Sequence, residues 1–219
     1  MNITWHKHSS FKFQGKVEGE NITLVCDPYD SKYVGLKMPN TEADIVTISH
    51  DHEDHSCKKA IKGSPYFIES AGEYDVKGVS ILGVESYHDA KKGEERGKNT
   101  IFRFEIDGVV VTHLGDLGES LDNKQLSGLV GTDILLVPVG GKYTLDAKKA
   151  VEVVSQIEPR IVIPMHYKTK GITAIFKDLD GVDKFIKELG IKPTYEEKVK
   201  INKKDLPQEE MELVVMEKE

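Results

Sequence analysis

Several common ways of holding or placing a chain are missing. The 219 residues include only two cysteines, Cys26 and Cys57. They stand far apart and in no paired motif, which excludes a disulfide framework and suggests reduced intracellular thiols. Positive charge is in deficit: 30 lysines and arginines face 37 acidic residues, for a formal net charge of −7. That balance argues against broad affinity for nucleic acid or anionic membrane. No apolar run approaches the roughly 20 residues of a membrane span, and the opening Met1-Asn2-Ile3-Thr4-Trp5 has no secretory-leader character. Together these absences predict a soluble cytoplasmic protein with a small-molecule substrate and neither a nucleic-acid nor a membrane partner. Internal repeats, low-complexity tracts and linkers are also missing, so residues 1–219 read as a single domain able to bury a sizeable core.

What the chain does have is histidine in one place. Three of its eight histidines and three carboxylates fall within His50-Asp51-His52-Glu53-Asp54-His55. The stretch directly follows Ala43–Ile48, whose β-branched residues read as a buried strand. Mixed imidazole and carboxylate donors suit zinc, with manganese and iron as alternatives, better than calcium or magnesium. In an extended chain His50, His52 and Asp54 project to one side and His55 to the other. Gathering all four therefore requires a turn near Asp54, which would let His50 and His52 serve one metal while Asp54 and His55 serve a second. The zinc-protease pattern His-Glu-x-x-His is absent.

Around this stretch the chain changes rhythm. Ile3–Phe13 alternates, meets Gly15 and is expected to pair with a strand at Ile22–Cys26. Strands follow at Tyr66–Ile68 and Val79–Val84, with a hairpin tip at Asp75-Val76-Lys77-Gly78-Val79. Ala90–Asn99, crowded with charge, reads as a mobile loop; Arg96 and Lys98 could bind an anionic group, but a solvated charged loop is the favoured reading. Thr100–Ile106 and Val109–Thr112 form a hairpin about Asp107-Gly108. Helices are expected at Leu121–Val130, Asp146–Ile157 and Val182–Leu189, the last capped by Gly190. Buried strands are expected at Ile134–Pro138 and Arg160–Pro164, and a closing strand at Leu213–Met216. A β-rich first half and an α/β second half imply an α/β fold of two sheets with helices outside.

Four strand exits carry potential ligands: His50 to His55, His88, Asp116 and His166. Ligands on loops over a sheet edge are a common way to build a site on a rigid scaffold. Five imidazoles and two carboxylates exceed the needs of one tetrahedral zinc and suit two metals sharing a carboxylate. His113, three residues before Asp116, competes with His88 as the remaining histidine ligand. His88 is favoured because its loop is free to turn toward the edge, whereas His113 suits a hydrogen-bonding role beside the ligands.

His50-x-His52-x-Asp54-His55, followed by an isolated histidine, Gly115-Asp116 and Pro164-x-His166, resembles the metallo-β-lactamase superfamily across almost the whole chain. Trp5-x-x-His8, Asp27-Pro28, His113-Leu114-Gly115-Asp116 and Pro164-Met165-His166-Tyr167 are similar to its small hydrolase-like branch, related to the L-ascorbate-6-phosphate lactonase group. Lys7 stands where that branch carries glycine. The resemblance implies a four-layer αβ/βα sandwich with two divalent metals at one sheet edge. His50, His52 and His88 would hold the first metal; Asp54, His55 and His166 would hold the second; Asp116 would bridge. It implies hydrolysis of a small ester, lactone or phosphoester by a metal-activated water, with Asp54 orienting that water and His8, His113, Tyr167 and Lys168 as supporting groups. A di-iron redox protein on the same fold is disfavoured because such relatives carry glutamate where His52 stands, and a non-catalytic metal-binding protein is disfavoured by the full ligand set.

Overall fold

The computed structural model describes residues 1–217. The first part of the chain forms β1 (Asn2–Trp5), β2 (Phe11–Val17), β3 (Glu20–Cys26), the one-turn helix α1 (Ser31–Val34), β4 (Thr41–Glu42), β5 (Ile45–Thr47), β6 (Ile61–Lys62) and β7 (Tyr66–Ile68). The middle forms β8 (Gly72–Val76), β9 (Val79–Tyr87), β10 (Lys98–Ile106), β11 (Val109–His113), α2 (Asn123–Gly128), β12 (Ile134–Pro138), α3 (Ala147–Ile157) and β13 (Ile161–Met165). Then come α4 (Val182–Leu189), β14 (Thr194–Glu196), β15 (Lys198–Lys200) and β16 (Glu212–Met216).

The strands build two large sheets. One has the order β15-β1-β2-β3-β5-β7, the other β14-β16-β13-β12-β11-β10-β9-β8. Their inner faces meet in one apolar cluster where Phe13 of the first sheet packs on Phe104 of the second, ring centroids 5.0 Å apart. Strands β12 and β13 are buried along their whole length, as central parallel strands covered on both faces must be. α3 and α4 cover the outer face of the second sheet through Val153, Val154 and Phe185. Outside the first sheet, Val25 and Val46 pack with Tyr29, Val34 and Phe176 in a separate apolar cluster. The result is the αβ/βα sandwich expected from the sequence, with a thin helical layer over the first sheet.

Several boundaries depart from the sequence reading. Ile3–Phe13 is two strands, because residues 6–10 form a tight turn closed by His6 N–H to Ser10 C=O (2.8 Å) and Ser10 N–H to Lys7 C=O (3.0 Å). The alternation continues on both sides of that turn and so conceals it. Gly15 lies inside β2, and the hairpin turns instead at Glu18-Gly19. A Cβ at residue 15 would run into Ile106 and Asp107, so glycine there permits close approach of β2 to the β10–β11 turn. α2 is shorter than Leu121–Val130; Asp122 and Gln125 form a capping box that fixes its start. The Ala90–Asn99 segment is an organised loop: the Asp89 carboxylate accepts the backbone N–H groups of Lys91, Gly93, Glu95 and Arg96.

The strand directions place the functional exits together. β1 and β2 are antiparallel, as are β2 and β3, while β3 and β5 are parallel, so β1, β3 and β5 all run the same way. In the second sheet two antiparallel steps relate β9 to β11, and β11, β12 and β13 are parallel. The C-terminal ends of β1, β3 and β5 therefore share one sheet edge, and those of β9, β11 and β13 share another. All eight histidines of the chain lie at or just beyond these ends.

Candidate metal centre

Each exit turns sharply to bring a side chain back over the edge. After β5, the His50–His55 segment closes with the N–H groups of His55 and Ser56 both donating to His52 C=O, at 2.8 and 2.9 Å. After β13, His166 has φ +51°, a left-handed conformation that reverses the strand. After β1, Lys7 and His8 have φ +80° and +53°. Lys7 thus adopts the backbone conformation that glycine takes most easily, so the departure from the branch pattern leaves the turn intact. After β11, Gly115 has φ +57° and passes so close to Ser49 and Asn99 that any Cβ would collide with them.

Three overlapping groups of donor atoms result: His50, His52 and His88; His8, Asp54, His55 and His166; and His50, His55 and Asp116, each group with its ligand atoms within 4.8 Å of one another. Asp116 lies between the clusters. Its Oδ1 is 3.3 Å from His55 Nε2, while its Oδ2 is 3.2 Å from His88 Nε2 and 3.1 Å from His166 Nε2. Asp54 Oδ2 is 3.3 Å from His55 Nε2 and 3.8 Å from His166 Nε2. All of these residues are buried except His52, which faces the opening. Asp51 and Glu53 are exposed and belong to no group.

The donors fit metal ions. The Nε2 atoms of His50, His55 and His166 and Oδ1 of Asp116 are buried without a hydrogen bond, an arrangement that is costly unless something else engages their lone pairs. The close contacts of His55 and His166 with the carboxylates are within reach but misaligned for hydrogen bonding. Donors held about 2.0–2.1 Å from a tetrahedral metal stand roughly 3.4 Å from each other, near the separations between Asp116 and its imidazole neighbours.

Asp27, which the sequence marks only as part of the Asp27-Pro28 likeness and gives no role, organises this centre from beneath. Its fully buried carboxylate accepts Ser49 N–H on Oδ1 (2.8 Å), and Ser49 Oγ–H (2.7 Å) and His55 Nδ1–H (2.8 Å) on Oδ2. With its own proton committed to Asp27, Ser49 Oγ accepts from His50 Nδ1, 2.9 Å away. Since an ionised carboxylate only accepts, this chain places the Nδ1 protons on His50 and His55, so that each ring in its neutral form turns an Nε2 lone pair to the cluster. Asn99 is the second residue that sequence reasoning missed. It is buried, donates to Ser86 Oγ and Leu114 C=O, and accepts the N–H of Asp116 at 2.9 Å.

Charge states follow the same plan. Burial opposes ionisation of Asp54 and Asp116, yet His55 beside the first and His166 and His55 beside the second hold both well below the usual carboxylate range. Burial also opposes the imidazolium of His55 and His166. The Asp116 and Asp54 carboxylates outweigh it, holding His55 well above its ordinary value and His166 at about 9 before any metal charge is added. Burial wins at His8, lowered to about 4, and at His50, pushed well below the ordinary value.

The supporting residues separate cleanly. His8 is fully buried with Nε2 2.9 Å from Asp54 Oδ2, so as a neutral imidazole it donates to that carboxylate. The fully buried His113 has both nitrogens engaged: Nε2 donates to Ser9 C=O (2.8 Å) and Nδ1 accepts Gly115 N–H (3.1 Å). It has no lone pair left for a metal, which leaves His88 as the histidine near His50 and His52. Tyr167 and Lys168 are not brought to the centre. Tyr167 packs at a tilt against Trp5, ring centroids 5.4 Å apart, beside a separate cavity, and Lys168 Nζ donates to Lys177 C=O at 2.8 Å. The cause is the turn at His166: it sends His166 inward and carries the next two side chains to the other side of the edge.

Above the cluster is a cavity of about 190 Å³ lined by His52, Asp54, His88, Asp116 and His166 on its floor and by Tyr33, Arg96, Tyr143, Ile175 and Phe176 on its walls. Among the described residues no helix is long and apolar enough to cross a membrane.

Comparison with known proteins agrees with this architecture. Residues 2–166 match the family model described as the beta-lactamase superfamily domain. The chain is 28% identical to a UPF0173 metal-dependent hydrolase of Methanopyrus kandleri over 87% of its own length and 94% of the relative's. It is 31% identical to a UPF0173 protein of Pyrococcus abyssi, over 78% and 85% of the two chains. Among solved structures, a candidate Zn-dependent hydrolase of the metallo-beta-lactamase superfamily from Thermotoga maritima superposes with a TM-score of 0.78 at 38% identity, covering 98% of this chain and 97% of that one. None of these three is described as a lactonase, and the likeness to that group is carried no further.

Proposed function

The chain belongs to the metallo-β-lactamase superfamily, and from that premise we propose that it is a metal-dependent hydrolase with a dinuclear centre acting on a small ester, lactone or phosphoester. The observation that carries this reading is Asp116, whose two oxygens approach the histidines of both donor clusters. His50, His52 and His88 would hold one divalent metal and Asp54, His55 and His166 the other, with Asp116 common to both. The imidazole and carboxylate donors favour zinc, with manganese or iron as alternatives. Such a pair supplies a Lewis acid for the substrate's carbonyl or phosphoryl oxygen and a water acidified toward neutral pH.

The protein's own groups do the positioning. The Asp54 carboxylate, fixed by the hydrogen bond from His8, orients the attacking water and takes its proton. The acidity of Asp54 makes that stay brief. The water oxygen bonds to the carbonyl carbon or phosphorus, the bond to the leaving oxygen breaks, and the proton passes to that oxygen. The size of the cavity, about 190 Å³, and the net charge of −7 favour a small molecule over a polynucleotide.

The test couples metal quantification to a substrate-class screen. Expected are two divalent ions per chain and metal-dependent turnover of at least one ester, lactone or phosphoester, lost in both Asp116→Ala and Asp54→Ala. Saturation at one ion per chain would overturn the dinuclear assignment, and full metal loading without hydrolysis would overturn the enzymatic one.

A further inference from the structure

Arg96 occupies an unusual position for a residue in a charged loop. Its neighbours there are neutralised locally: Lys91 bonds Glu95 at 2.7 Å and Lys98 bonds Glu85 at 2.8 Å. No described carboxylate lies within ion-pair distance of the Arg96 guanidinium, which instead lies over the ring of Tyr143, 5.2 Å from its centroid. Tyr143 is itself fixed, its hydroxyl donating to Ile175 C=O at 3.0 Å. A guanidinium resting on an aromatic face keeps its N–H edge free, the geometry suited to a forked bond to an oxyanion.

The loop that carries Arg96 also carries His88. Asp89 accepts four backbone N–H groups from it, including that of Arg96 at 2.8 Å. The cation is therefore mounted on the element that positions a donor of the metal cluster, and it lines the cavity above that cluster. The two carboxylates on the cavity floor do not need it, since Asp54 is engaged by His8 and Asp116 is flanked by His55, His88 and His166. Phe176 and the ring of Tyr143 make the surrounding wall apolar, which strengthens a charge-assisted bond formed there.

We propose that Arg96 is the specificity-determining residue of this cavity and selects small substrates carrying an oxyanion, a carboxylate or phosphate group, beside the hydrolysed bond. The inference rests on the hydrolase reading for its substrate class, but anion binding tests it separately. Zinc-loaded wild type, Arg96→Lys and Arg96→Gln would be titrated calorimetrically with inorganic phosphate and with acetate. Arg96→Gln should weaken at least one anion by roughly 10- to 100-fold, with Arg96→Lys intermediate because it keeps the charge and loses the fork. Weakening of phosphate alone assigns a phosphate group, and weakening of acetate alone a carboxylate. In kinetics, the ratio of kcat/KM for the monophenyl ester of succinic acid over that for phenyl acetate should fall by the same factor, mainly through KM. Wild-type anion affinity in both variants, at unchanged metal content, would overturn the proposal. Absence of all turnover would count against the hydrolase reading, while the titrations would still decide Arg96.

Discussion

Substituting Asp27 by asparagine changes few atoms and should invert the chemistry of two candidate ligands, His50 and His55. The carboxylate accepts three protons, from Ser49 N–H, Ser49 Oγ–H and His55 Nδ1–H. An asparagine can keep the first through its Oδ1 and so preserve the turn. Its amide group then meets Ser49 Oγ and His55 Nδ1 as a donor. Ser49 must accept from it and redirect its own proton to His50 Nδ1, 2.9 Å away. His55 Nδ1 must likewise accept. Both imidazoles are driven to carry their proton on Nε2, the nitrogen that wild type leaves open toward the cluster. Loss of such a partner beneath a metal-bound histidine typically costs 10- to 100-fold in affinity, about 1.4–2.7 kcal/mol. With two histidines affected, Asp27→Asn should reach the upper end. Competition against a chromophoric zinc chelator measures the affinity, and nitrogen-detected NMR of the imidazoles reports which ring atom carries hydrogen. Wild-type affinity with Nδ1–H retained on His50 and His55 would refute the relay.

Other expectations follow from the same geometry. His88→Ala should lose metal from the His50–His52 side, whereas His113→Ala should keep full metal stoichiometry. The latter should destabilise the chain by roughly 1–3 kcal/mol for the buried Ser9 carbonyl and Gly115 N–H left unpaired; chelator titration and urea unfolding separate the two. Gly118→Ala should push back the His88 loop, because a Cβ there collides with the His88 carbonyl and the Asp89 nitrogen, both backbone atoms. Its cost should be about 1–3 kcal/mol, read by denaturant unfolding of the metal-free protein, and an unchanged midpoint would show that the loop yields freely. Removing metal from protein held at 100 times its dissociation constant should cost about 2.7 kcal/mol, a fall in Tm of roughly 5–11 °C for a chain of this size, with the near-ultraviolet circular dichroism retained.

The grouping of candidate donors was legible because its evidence is local. His50-x-His52-x-Asp54-His55 follows a strand whose β-branched residues announce it, and the later candidates each stand at a strand exit. β12 and α4 were readable to the residue for a similar reason: one is apolar throughout, the other is periodic and stopped by Gly190. What escaped was information carried by distance. Asp27 carries no assigned role until β3 and β5 pair in parallel and bring it under Ser49 and His55. Asn99, within a run of charged residues, reads as loop until β10 places it beneath Leu114 and Asp116. Tyr167 and Lys168 were misjudged because sequence adjacency to His166 does not reveal its positive φ. The sequence favoured His88 over His113 on loop freedom alone; the hydrogen bond that occupies His113 reaches Ser9, 104 residues away, and no local spacing reveals it.

The centre also shows where the fold accepts strain. Lys7, His8, Asp27 and His166 all have positive φ without being glycine, a conformation that disfavours each by about 1–2 kcal/mol. A strand runs outward past its sheet edge, so a side chain at its exit reaches back over the edge only if the backbone reverses abruptly. Such turns persist where surrounding bonds over-determine them, and here those bonds run between the two sheets. His166 N–H donates to His8 C=O, Thr100 N–H to Ser49 C=O, and His113 Nε2 to Ser9 C=O. Each joins an exit of the first sheet to the second, and none passes through a ligand atom that faces the cluster. These bonds tie the two sheet edges together independently of the candidate ligand atoms. A metal bound there would then spend little of its binding energy on bringing the sheets together.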